Sequence, residues 1–74
     1  MRKYSLYPNP AKHQITIQLE SVTTLKSVNI YNNAGQLVLK SKKTTINTSR
    51  LASGSYIILI ETSKGKGYKK LILE

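Results

Sequence analysis

Gln14-Ile15-Thr16-Ile17-Gln18-Leu19-Glu20 alternates without a break. Ile15, Ile17 and Leu19 fall on one side of an extended chain and Gln14, Thr16, Gln18 and Glu20 on the other, the period of two that a strand buried on one face requires. Residues 25–32 repeat the pattern, with Val28 and Ile30 inward beside Ser27 and Asn29. Asn32-Asn33-Ala34-Gly35 then reads as a turn, because Asn tolerates left-handed backbone and Gly takes positive φ without steric cost. The chain can reverse there into a strand over 36–41. Lys42 and Lys43 lie in the next connection, ahead of a short strand near 44–47 that carries Ile46. Residues 48–54 read as a compact turn, with Leu51 tucked inward and Gly54 resetting the backbone for the next strand.

Residues 55–62 are the most apolar segment, with Tyr56, Ile58 and Ile60 on one face and Ile57 and Leu59 on the other. That predicts a central strand covered on much of both faces. Ser63-Lys64-Gly65-Lys66-Gly67 reads as a flexible turn, and residues 68–73 as the final strand, bringing in Leu71, Ile72 and Leu73. No stretch of helical length combines a 3.6-residue period with caps. The fold class is therefore all-β: an antiparallel immunoglobulin-like β-sandwich of six to seven short strands, with Ile15, Ile17, Val28, Ile30, Ile58 and Ile60 in the core. A small barrel of the OB-fold kind is the second architecture compatible with the pattern.

The 74 residues suffice for one domain. A chain this short buries only roughly 60% of the surface exposed by its unfolded form, so its stability should be modest. With no cysteine and a single histidine, His13, it can build neither a disulfide framework nor a zinc site of the usual kind. The longest aliphatic and aromatic run, residues 56–60, is far short of the roughly 20 that a membrane-spanning helix needs. Residues 1–10 do not read as a signal peptide either, because the charged start leads into Tyr4-Ser5-Leu6-Tyr7-Pro8-Asn9-Pro10 and not into an apolar core.

Catalytic chemistry finds few materials. A Ser-His-acid system would have to combine His13 with Glu20, Glu61 or Glu74, and His13 next to Lys12 reads as an exposed turn residue. Three glutamates without useful spacing offer no acid/base pair. Gly65-Lys66-Gly67 leads into a strand and not a helix, so it is no phosphate cradle. No cofactor or metal is implied.

Twelve Lys and Arg against three Glu give a net charge of +9, which favours encounters with polyanions. Nucleic-acid binding nonetheless ranks low. The tyrosines at 4, 7, 31, 56 and 68 are scattered singly, and the lysines fall mainly in turns, whereas a binding platform needs adjacent exposed rings. A module binding nucleic acid or anionic polysaccharide remains the alternative reading.

Three blocks carry a more specific signal: Leu6-Tyr7-Pro8-Asn9-Pro10-Ala11; Val28-Asn29-Ile30-Tyr31-Asn32-Asn33-Ala34-Gly35-Gln36-Leu37-Val38; and Ile46-Asn47-Thr48-Ser49-Arg50-Leu51-Ala52-Ser53-Gly54-Ser55-Tyr56-Ile57. In this order and spacing they resemble the type IX secretion C-terminal sorting domain, over residues 6–74. Tyr7, Pro8, Asn9, Pro10, Gly35, Leu51, Gly54 and Tyr56 are the matching motif positions. Pro8 and Pro10 would keep their segment extended, suiting a stiff junction to an upstream cargo.

The resemblance implies a domain that is an address and not an enzyme. It would sit at the C-terminus of an exported protein of a Gram-negative bacterium and carry that cargo from the periplasm through an outer-membrane translocon. A sortase-like peptidase would then commonly cut it off and join the cargo to lipopolysaccharide at the cell surface. The implied recognition element is the last strand, Gly67, Lys69, Lys70, Leu71, Ile72 and Leu73. Residues 1–5 are expected to be residual linker or the start of an expressed fragment. An open sheet also leaves an edge strand through which two copies could pair.

Overall fold

A computed structural model describes residues 4–7, 12–19 and 23–74. Seven strands follow in order: β1 (Tyr4–Tyr7), β2 (Gln14–Leu19), β3 (Leu25–Tyr31), β4 (Leu37–Ser41), β5 (Thr45–Asn47), β6 (Gly54–Thr62) and β7 (Gly65–Leu73). They form two antiparallel sheets, of three strands ordered β1-β2-β5 and four ordered β4-β3-β6-β7. The chain changes sheet after β2, after β4 and after β5, which makes an immunoglobulin-like sandwich and not a closed barrel.

The inner faces meet over one core. Ile15 and Ile17 of β2 and Ile46 of β5 face Val28 and Ile30 of β3, Tyr56, Ile58 and Ile60 of β6, and Leu71 and Leu73 of β7, all buried. The six residues expected inside are therefore all there. Leu6, Leu19, Leu25, Leu39 and Leu51 pack around this centre.

Three local expectations are corrected. β6 is central, between β3 and β7, but its second face is not covered: Ile57 is 41% exposed. The final strand begins at Gly65 and not at 68, because residues 65–67 pair in register with Thr62, Glu61 and Ile60. The flexible turn shrinks to Ser63 and Lys64, braced by the buried Thr62, whose hydroxyl accepts from the Lys64 N–H at 3.1 Å and donates to the Gly65 carbonyl at 3.0 Å. The N-terminal segment also contributes a strand, with Tyr4 and Ser5 opposite Leu19 and Gln18.

Register also sorts the loops into two poles. At one pole Gln14 lies opposite Asn47, the Thr48 N–H donates to the His13 carbonyl at 2.8 Å, and Gly54 lies opposite Leu73. At the other, Tyr4 lies opposite Leu19, and Leu25 and Gly65 both lie opposite Thr62.

Candidate recognition site

The terminal strand is half core and half surface. Leu71 and Leu73 lie opposite Tyr56 and Gly54 and are buried, 0% and 3% exposed. Ile72, between them, is half-buried on the outer side. Further up, Lys70 lies opposite Ile57 and Lys69 opposite Ile58. Partners across an antiparallel pair point the same way, so the two lysines stand on different faces of the sheet. Both are exposed, Lys69 although it is on the inner side. Gly67 sits opposite the buried Ile60 and is itself half-buried.

The loop before β6 is built from its own side chains. Asn47 Oδ1 accepts from the Ser49 N–H at 2.9 Å and the Ser49 hydroxyl at 2.6 Å, and the Leu51 N–H donates to the Thr48 carbonyl at 3.0 Å. This sequence of turns drops Leu51 against the core. Gly54 then opens β6 at φ 146°, a conformation that a side chain would strain. Two residues on, Tyr56 is 8% exposed and its hydroxyl donates to the Ala52 carbonyl at 2.6 Å. A tyrosine at the start of a sandwich strand, bonded back to the loop before it, is the brace known as a tyrosine corner.

The turn between β3 and β4 depends on Asn32, though not through the left-handed backbone expected of Asn: among the described residues no non-glycine residue has positive φ, and Asn32 acts through its side chain. Its Oδ1 accepts from the Ala34 and Gln36 N–H groups at 2.9 and 3.0 Å, and the Gly35 N–H donates to the Asn32 carbonyl at 3.0 Å. Gly35 completes the reversal at φ 79°. The signal that could have found this role is the place of Asn32 at the head of the turn, where Asx side chains bond the backbone two residues on.

Two of the three sequence blocks meet here. A depression of about 270 Å³ lies between Asn32, Asn33 and Ala34 on one side and Ser53, Gly54, Ser55 and Tyr56 on the other. Tyr7, 47% exposed, lies on β1 in the opposite sheet, and Pro8, Asn9 and Pro10 fall outside the described residues. The tyrosines are not all scattered as their spacing suggested: Tyr31 and Tyr68 line one depression of about 420 Å³ with Asn32, Asn33, Gly35 and Ile57. Among the described residues no three His, Cys, Asp or Glu group as a metal site, and no helix is long and apolar enough to cross a membrane.

The last strand thus completes the core of the sandwich, and two of the three distinctive sequence blocks come together in braced loops at one pole. The family model for the secretion system C-terminal sorting domain matches residues 5–74, and the chain belongs to that family, the sorting signals of type IX secretion cargo proteins. It is a family of signals and not of enzymes. Such a signal sends its cargo toward the cell surface or the medium of Gram-negative bacteria. A search of curated proteins finds no match to the chain.

Proposed function

We propose that this domain is read, as a folded unit, by the outer-membrane translocon of the type IX system while it trails an upstream cargo domain. On this reading it passes through the periplasm with that cargo, and a sortase-like peptidase removes it when the cargo is anchored at the surface. It performs no catalysis itself. One observation carries the proposal: β7 is held in place by Leu71 and Leu73 in the core while Tyr68 and Lys70 are displayed on the outer face. This fixed placement of β7 supports the reading that a receptor meets the terminal strand in one geometry.

A reporter cargo fused ahead of residues 1–74, in a strain with a working type IX system, tests this. The fusion is expected in the surface or medium fraction, and in the periplasm when the translocon is inactivated. Retention of the reporter in the periplasm of the competent strain would sink the proposal.

A further inference from the structure

The outer face of the four-stranded sheet is the least explained surface of the molecule. Cross-strand register lays it out in rows: Leu37, Tyr31, Ile57 and Lys70 in one, and Lys40, Asn29, Leu59 and Tyr68 in the next. A bulge between Leu37 and Leu39 leaves Val38 exposed beside Leu37. Tyr68 is 68% and Leu37 49% exposed. Of the large hydrophobics exposed among the described residues, all but Tyr7 are on this sheet. Scattered apolar residues need no explanation, but a contiguous set rimmed by polar groups marks an interaction site.

Charge decides what fits. Among the described strand residues, Lys40, Lys66 and Lys70 stand on this face with one acid, Glu61, which lies opposite Lys66 and accepts from the Ser27 hydroxyl at 3.1 Å. A second copy would set these lysines against their own kind, on a chain whose net charge is already +9. A nucleic-acid platform needs successive stacking rings, whereas here aliphatic Ile57 and Leu59 sit between Tyr31 and Tyr68. An apolar strip flanked by lysines is complementary to a protein surface with apolar side chains flanked by Asp and Glu.

Resting on the sorting reading above, we propose that this face docks an acidic, apolar-centred surface of a protein in the secretion machinery. Ile57 and Tyr68 are the apolar anchors, and Lys40 and Lys70 are the charged flanks.

The test uses the whole chain fused behind a reporter cargo in a type IX-competent strain. Export of the unaltered fusion, measured first, decides the sorting reading by itself. Ile57→Ser with Tyr68→Ser is expected to lower the exported fraction about tenfold or more, as loss of two interface anchors does, while circular dichroism stays unchanged. Lys40→Glu with Lys70→Glu is expected to act likewise, and Lys40→Arg with Lys70→Arg to restore export. Should the serine variant fail to fold, the charge variants carry the test. A photo-crosslinking residue at 68 should join to a protein segment carrying Asp and Glu beside apolar residues, and one at 7, on the other sheet, should not. Normal export of the folded variants, with the parent exported, overturns the docking face and leaves the sorting reading standing. Crosslinks from 68 to nucleic acid, to lipopolysaccharide or to a second copy overturn the acidic-protein occupant.

Discussion

Lys69 and Lys70 are neighbours in the chain but stand on opposite faces of β7, Lys69 opposite the fully buried Ile58 and Lys70 opposite the exposed Ile57. Removing them together therefore mixes two effects. A charge on the inner side of an edge strand opposes pairing with another strand, because its burial would be costly. Lys69→Val is accordingly expected to make the isolated domain self-associate as its concentration rises, and Lys70→Ala to leave it monomeric. Sedimentation velocity over a concentration series reads this directly. Identical behaviour of the two variants would show that their faces do not matter.

Truncation is a poorer probe than it looks. Deleting residues 69–74 removes Leu71 and Leu73 from the core, where each large-to-small loss costs about 2–5 kcal/mol. Such a deletion is expected to unfold the domain, seen as loss of a cooperative melting transition. Blocked export of that variant would then report folding and not recognition. Ile58→Ala, at a site with no exposure, is expected to cost the same about 2–5 kcal/mol by urea denaturation.

Gly35 isolates a backbone effect. A Cβ added there meets nothing within 4 Å, yet the residue sits at φ 79°. Gly35→Ala should therefore destabilise by about 1–2 kcal/mol through conformation alone. Gly35→Asn should recover much of this, since Asn visits the left-handed region more readily. Equal melting temperatures for the two variants would contradict the argument.

The Tyr56 brace is testable by removing one atom. Tyr56→Phe keeps the ring in the core and deletes the 2.6 Å bond to the Ala52 carbonyl, a loss of about 0.5–1.5 kcal/mol. Thr48 offers the opposite sign. Its Oγ1 is buried with no hydrogen-bond partner among the described residues, so Thr48→Val should be stabilising by about 1 kcal/mol. For a domain of this size that raises the melting temperature by about 4–8 °C. A lower melting temperature for the valine variant would mean that the hydroxyl has a partner after all.

How far the sequence could be read follows from the same physics. Ile15 and Ile17 alternate with polar neighbours because their strand is covered on one side only, and that asymmetry is written in the residues. The exposure of Ile57 could not be read off, because an apolar run on both faces fits a doubly covered strand and one open on its outer side equally well. Gly65-Lys66-Gly67 has turn composition, but pairing with residues 60–62 overrides local preference. The opposite orientations of Lys69 and Lys70 follow from alternation. That Lys69 is nonetheless exposed, and that Tyr31 and Tyr68 line one depression, depends on how β3, β6 and β7 come together.

The two poles of the sandwich have a mechanical consequence. Tyr4 lies at one pole and Leu73 at the other, on edge strands of different sheets. Tension between a cargo upstream of Tyr4 and a machine gripping β7 would run lengthwise along both strands. The β1–β2 and β6–β7 ladders are then loaded in shear, with their hydrogen bonds sharing the force and not unzipping one after another. Under such a load the domain's lifetime is set by its unfolding rate and not by its modest equilibrium stability. A small fold with no covalent staple can in this way keep its shape while it is pulled from both ends.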